Sequence, residues 1–349
     1  MVMIGNLTRR VSRALVSMVG IPSGILAYHR VAELEFDPQL LAVAPKHFAE
    51  QLQVLREAYR PMALQDWVAN LKRGTLPRRA VVVTFDDGYA DNLFNAKALL
   101  ENYSVPATVF ITAGRVGNSE EFWWDQLARV LLEPGDLPEE FDLDVGGTAM
   151  RIRLSEASQY TERDRVLHHS WNILRPDDPT PRHRVYRLLC QLFQAMDEEV
   201  RDVNIERMFS YAGYSRQARS THRTLSALEV RDLAKGELVE VGAHTITHPV
   251  LANLSSEEQR AEIRSSKQML EDMIGCRVLS FAYPYGTDTS YTADTVAIVR
   301  EAGFGQACAN FSGGVWRLTD RYQLPRNVVR DWSGEEFARW LDSWVLDRT

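Results

Sequence analysis

The feature that most constrains this chain is the run Ala80-Val81-Val82-Val83-Thr84-Phe85. It is nearly continuous in β-forming residues and shows no polar alternation. A strand with one wet face alternates apolar and polar residues; one that does not must be covered on both faces, as in a parallel sheet flanked by helices. Six more short apolar segments resemble it: Gly24–Tyr28, Ala107–Ile111, Leu238–Ala243, Val278–Tyr283, Phe304–Ala309 and Gln323–Val328.

Helical patterns lie between many of these segments. Pro45–Tyr59 spaces Phe48, Leu52 and Leu55 along one helix face. Ser255–Ile274 opens on Ser255-Ser256-Glu257-Glu258, which reads as a capping box, and closes before Gly275. Asp294–Ala302 ends at Gly303 in the same way. Strand–helix alternation of this kind predicts βα units and a closed or doubly wound parallel sheet. The alternation stops between about Gly117 and His222, where Pro- and acid-rich runs such as Glu133-Pro134-Gly135-Asp136 separate helical stretches. The expected layout is an N-terminal helix or arm over 1–21, the barrel over 22–117 and 223–349, and a mostly helical insertion over 118–222.

Bulk properties narrow the partners. With 349 residues and 45% hydrophobic content there is material for a large core. A net charge of −7 argues against a nucleic-acid partner, which would be repelled on average. Three scattered cysteines, Cys190, Cys276 and Cys308, form no CxxC pair and read as inert thiols in a reducing compartment. The N-terminal segment carries Arg9, Arg10 and Arg13 before a short apolar run, too short to span a bilayer. It reads as a docking helix, with contact to a membrane surface as the alternative, and the chain as cytoplasmic or peripheral to a membrane. The oligomeric state is not set by the sequence.

Four strand ends carry chemistry. Thr84-Phe85-Asp86-Asp87-Gly88 places two adjacent carboxylates after the strongest strand. His244-Thr245-Ile246-Thr247-His248 follows the fourth apolar segment, and an i, i+4 histidine pair can give a metal two nitrogens. Phe281-Ala282-Tyr283-Pro284-Tyr285-Gly286 offers an irregular backbone whose N–H groups can face an oxyanion. Tyr28-His29-Arg30 ends the first segment. Each alone is as readily a turn or a core residue. In a parallel α/β barrel, however, all strand C-termini open on one face, where active sites sit. Two histidines and one carboxylate from different strands make a three-ligand set with an open position, the stoichiometry of a catalytic zinc. The expected class is a metallohydrolase.

At these residues the sequence resembles the polysaccharide deacetylase family, also called the NodB homology domain or carbohydrate esterase family 4, over about 22–115 and 225–345. The resemblance implies a distorted (β/α)7-type barrel, with the 118–222 stretch as an insertion unusual for the family. It implies Asp86 as general base, Asp87, His244 and His248 as ligands of a divalent metal (zinc, with cobalt or nickel as alternatives), and the Tyr285 backbone in the oxyanion site. It implies an N-acetylated glycan as substrate. The chain departs from the pattern twice. The third motif's arginine, which orients the base, is Ala282 here; Arg326 in Leu324-Pro325-Arg326 is the candidate replacement. No histidine follows His248 in the tail, whereas Tyr28-His29 is similar to the N-terminal Tyr-His motif of the permuted poly-N-acetylglucosamine deacetylases. His29 is therefore the candidate acid, expected to be kept protonated near neutral pH by a neighbouring ionised aspartate. Trp123 and Trp124 are candidates for stacking on sugar faces, with packing inside the insertion as the stronger expectation. The rival readings are an amidase for a small non-carbohydrate amide and a carbohydrate-binding pseudoenzyme.

Overall fold

A computed structural model describes residues 23–315 and 318–346. The N-terminal arm anticipated over 1–21 lies outside them. Two compact units emerge: one from 23–33, 41–116 and 225–346, the other from 34–40 and 117–224.

Each of the seven apolar segments contains a parallel strand or pairs as one. β1 (Gly24–Tyr28), β2 (Ala80–Phe85), β3 (Ala107–Ile111), β4 (Val239–Ala243), β5 (Ser280–Ala282), β6 (Gln306–Cys308) and β7 (Asn327–Val328) form one sheet in the order β6-β5-β4-β3-β2-β1-β7. All their pairings are parallel. The segment leading into β7 joins the two edges. Its first half bonds to β6, with Ala309 N–H donating to Leu324 O at 2.8 Å and Leu324 N–H to Ala307 O at 2.9 Å. Its second half pairs with β1 through Leu26↔Asn327 and Ala27↔Val328. One chain segment thus carries the hydrogen bonding from β6 round to β1.

Strand residues divide by parity. Ile25, Val82, Phe110, Ala282 and Cys308 share one cluster with Leu64, Trp67, Val68 and Leu71 of the helix Leu64–Arg73. Leu26, Val81, Val83, Val109, Val241 and Ala307 share another with Phe48, Leu52, Leu55, Ile263, Leu270 and Val299 of the surrounding helices. Both faces are therefore dry, which is why the strands read without alternation. Gly242 belongs to this packing: a Cβ there would come within 2.4 Å of the Phe110 ring.

The helices follow their local chemistry. Pro45–Ala58 begins on proline, whose fixed φ suits a first helical turn. Ser256–Ile274 has the complete capping box, Ser255 with Glu258, and stops at Gly275 with φ 74°. Among the described residues, no helix is long and apolar enough to cross a membrane.

The second unit is less helical than expected. Helices Trp123–Leu132, Glu162–His168, Pro181–Ala195 and Glu198–Ala212 are joined by an antiparallel hairpin, Glu140–Val145 with Thr148–Arg153. Gly146 and Gly147, at φ 61° and 80°, make its two-residue turn, a conformation β-carbons disfavour. Trp123 and Trp124 are buried, Trp124 stacked on Phe122 at 4.6 Å and Trp123 edge-on to Phe193 at 6.3 Å. They pack the unit rather than offer a stacking surface. Of the thiols, Cys190 and Cys308 are buried and Cys276 is exposed.

Candidate metal and catalytic site

The sheet brings the predicted residues other than Arg326 to its C-terminal edge. Asp86 and Asp87 follow β2, His244 and His248 follow β4, Tyr285 follows β5, His29 follows β1, and Arg326 immediately precedes β7. Asp86 and Asp87 are each 3% exposed, His244 1% and Arg326 1%. Such polar groups are buried only when paired or coordinating.

Asp87, His244 and His248 converge, their ligand atoms all within 4.8 Å of one another. Asp87 Oδ1 is 3.4 Å from His248 Nε2 and 3.7 Å from His244 Nε2. Tetrahedral ligands about 2.1 Å from a zinc ion stand roughly 3.4 Å apart, so the spacing fits one divalent cation. His244 Nδ1 lies 2.8 Å from Ala282 O. A carbonyl can only accept, so Nδ1 carries the hydrogen and Nε2 presents its lone pair towards Asp87. Burial, opposed by Asp86, holds the His244 pKa below its ordinary value, which keeps the imidazole neutral as a ligand must be.

The backbone at these ligands is strained. Asp87, Thr245, His248 and Tyr285 have φ of 74°, 63°, 64° and 60°, four non-glycine residues in left-handed conformation within one site. Each costs about 1–2 kcal/mol and persists only where surroundings over-determine it. Here they do. Gly88 N–H donates to Asp86 O at 2.9 Å, Thr112 N–H to Asp87 O at 3.2 Å, and Leu225 N–H to Gly88 O at 3.0 Å. At the third motif, Gly286 N–H donates to Pro284 O at 2.6 Å and Asn310 N–H to Gly286 O at 2.7 Å. A Cβ on Gly286 would meet Asn310 N at 2.6 Å, so glycine is obligatory there. The Tyr285 ring packs edge-on against His248, centroids 4.7 Å apart.

Arg326 stands where the sequence pattern lacks an arginine. Its Nη1 and Nη2 each donate to one Asp86 oxygen at 2.7 Å, a two-pronged pair. Nε donates to Ala309 O at 2.8 Å, Nη1 also to Thr84 Oγ1 at 3.2 Å, and the guanidinium lies over the Phe110 ring at 5.5 Å. Burial pushes the Asp86 carboxyl up, but the Arg326 guanidinium, by its charge and its hydrogen bonds, leads the groups that more than offset this and hold it well below the usual carboxylate range. Ala282, at the family's arginine position, is fully buried, and a guanidinium from the last strand serves Asp86 instead.

His29 departs from expectation. Burial outweighs the attraction of Asp86, and Arg326, Arg330 and His244 oppose a further charge, so its pKa falls to about 4. The imidazole rests neutral at neutral pH, where the nearby aspartate had implied a cation.

Sequence reading missed Glu262 on the helix Ser256–Ile274. Its Oε2 accepts from Ile246 N–H at 2.7 Å and Thr247 N–H at 3.1 Å, and its Oε1 from Thr247 Oγ1 at 2.9 Å. It also missed Asp91, whose carboxylate takes Arg30 Nε at 3.0 Å and Val31 N–H at 2.9 Å beside His29.

A parallel barrel that gathers two imidazoles, two carboxylates and a guanidinium in this way offers a candidate site for one metal ion. The sequence profile described as polysaccharide deacetylase matches residues 73–137 and 208–307. The chain belongs to the polysaccharide deacetylase family. The match takes in Asp86, Asp87, His244, His248 and Tyr285, while His29 and Arg326 lie outside it. The poly-beta-1,6-N-acetyl-D-glucosamine N-deacetylase of Escherichia coli (strain K12) is 29% identical over 150 residues, covering 42% of this chain and 20% of that protein. The chain thus aligns with about a fifth of that relative's length. Two solved structures share the fold. IcaB from Ammonifex degensii superposes with a TM-score of 0.55 at 20% identity, over 93% of this chain and 97% of the other. The Streptococcus pyogenes deacetylase PplD in complex with acetate does so with 0.55 at 17%, over 92% and 97%.

Proposed function

We propose that this protein is a divalent-metal-dependent N-deacetylase acting on an N-acetylated amino-sugar polymer, with poly-β-1,6-N-acetylglucosamine the first substrate to test. The carrying observation is the juxtaposition of a three-ligand Asp87/His244/His248 set with Asp86, a carboxylate that binds Arg326 and not the ligand set. One carboxylate is available to a metal while its neighbour is held for proton transfer. The relatives' named substrate supports the choice of polymer.

Zinc, cobalt or nickel at Asp87, His244 and His248 would supply a Lewis acid for the acetyl carbonyl and for water. The remaining work falls to the chain. Asp86 accepts the proton as water adds to the acetyl carbon, and Arg326 fixes which oxygens face the site. The Tyr285 backbone, in its left-handed turn beside His248, is the candidate N–H donor to the developing oxyanion. Breakage of the C–N bond requires a proton on the leaving nitrogen. His29 rests neutral, so it donates only after receiving the proton drawn from water; once charged, its low pKa makes it a strong donor to an amine. Acetate and the free amino sugar balance the reaction.

The substituted motif arginine motivates the rival reading of a carbohydrate-binding pseudoenzyme. Arg326 supplies the missing guanidinium and weighs against that reading. The test is acetate release from N-acetylated glycans with metal analysis of the same sample. Release from poly-β-1,6-N-acetylglucosamine oligomers, lost on chelation and restored by zinc, cobalt or nickel, is expected. Bound metal with no acetate from any glycan would mark a binding protein, and hydrolysis confined to small amides would mark an amidase.

A further inference from the structure

Resting on that metal-site reading, we infer that Glu262 is a positioning residue for the histidine turn, holding His248 in its ligating conformation from outside the metal site. Between His244 and His248 the chain makes a tight turn with Thr245 and His248 both at positive φ. Neither is a glycine, so the isolated turn would relax. Three sets of contacts oppose relaxation. Ala113 N–H and Gly114 N–H donate to Thr245 O at 2.9 Å and Ile246 O at 3.0 Å. Gly114 permits this approach, since a Cβ there would lie 2.7 Å from Ile246 O. Thr245 Oγ1 accepts from His248 N–H at 3.1 Å. Glu262 accepts from Ile246 N–H, Thr247 N–H and the Thr247 hydroxyl.

The contributions differ in kind. The bonds from Ala113 and Gly114 tie down the first half of the turn, and the Thr245 bond is internal to it. Glu262 fastens the second half, beside His248, by hydrogen bonds to a separate rigid element, the helix Ser256–Ile274. Its carboxylate satisfies two successive N–H groups that point the same way, a pattern that binds anions because the dipoles add. Hydrogen bonds to an ionised acceptor are about twice as strong as neutral ones. Without them the turn loses its outer anchor, and His248 Nε2 is free to leave its 3.4 Å approach to Asp87 Oδ1.

The experiment measures zinc affinity on the metal-stripped full chain by competition with a chromophoric chelator, with melting temperature of the stripped protein in parallel. Glu262→Ala is expected to weaken zinc binding about 10–100-fold, the usual cost of losing an outer partner of a metal ligand. Glu262→Gln keeps an acceptor oxygen for the two N–H groups, and the Thr247 hydroxyl can reverse its role; it is expected to stay within about threefold of the parent. Thr247→Val removes one of the three bonds and should fall between them. A merely structural glutamate would lower the melting temperature of Glu262→Ala and leave its zinc dissociation constant unmoved, which overturns the inference. Should Glu262→Ala not fold, Thr247→Val decides: weakened zinc binding at unchanged melting temperature supports the inference, and parental affinity overturns it. A parent chain that binds no zinc overturns the metal-site reading as well, whereas a zinc-binding parent with an equally competent Glu262→Ala overturns this inference alone.

Discussion

Replacing Arg326 by methionine isolates the buried pair with Asp86. Methionine keeps an unbranched apolar stem over Phe110 and removes the two 2.7 Å bonds to the carboxylate. What remains is a carboxylate 3% exposed with its cation gone. Breaking a buried ion pair from one side costs about 3–5 kcal/mol, because the surviving charge is left without compensation. The pH dependence follows from the same groups. In the parent the Asp86 carboxyl lies below its unfolded value, so its contribution is fully present above the unfolded value and is lost only as pH falls through the depressed folded one. In Arg326→Met, burial acts with less opposition and the carboxyl rises, so the penalty is largest above that raised value and shrinks as the group takes a proton. Urea denaturation of chelator-treated protein at about pH 7.5 and about pH 5 should therefore show a deficit that is smaller at the lower pH. Asp86→Asn and the double variant complete a cycle in which the coupling should exceed about 2 kcal/mol. A deficit independent of pH, or single effects that add within about 0.5 kcal/mol, would refute the buried-pair argument.

Two further predictions separate neighbouring roles. Asp86→Asn should retain zinc and lose at least about 100-fold in turnover, whereas Asp87→Asn should lose zinc affinity first; swapped phenotypes would reverse the assignment of the two carboxylates. In the second unit, burial and then the neighbouring His168 lower fully buried His183 to about 4, so the unfolded chain binds its proton first and stability falls as pH drops from about 6.5 towards 4. His183 should cost about 2 kcal/mol at about pH 5 relative to about pH 7.5, and His183→Phe should flatten that part of the urea-midpoint profile; an unchanged slope would show that other groups set it.

The barrel was legible because its strands are dry on both faces, and continuous apolar runs record that directly. The convergence of Asp87, His244 and His248 was legible because their motifs sit at strand ends, and parallel strands share an end. The insertion's hairpin was not read, although Phe141, Leu143 and Ile152 are its buried positions and Gly146-Gly147 its turn. The Pro- and acid-rich run before it masked a short alternation. His29 shows a different limit. The sequence displays a neighbour's charge but not the desolvation that outweighs it. Glu262 left no trace, since an acceptor on one helix face has no spacing relation to the turn it clamps.

The way the ring closes has a consequence for when the site comes into being. Asp87 and His244 are already 157 residues apart, with the second unit between them, and the Asp86–Arg326 pair at 240 apart needs the C-terminal segment as well. Loop-closure entropy separates the two by only about 0.4 kcal/mol, so it is synthesis from the N-terminus that makes the Arg326 contact the later one. A nascent chain can therefore assemble its cation cradle while the neighbouring carboxylate still faces water, and the docking of the final strand is what dries that carboxylate and fixes its orientation. On the proposed function, completion of the barrel and competence for proton transfer are then one event, so a molecule with a loose last strand would keep its cation cradle and remain inert.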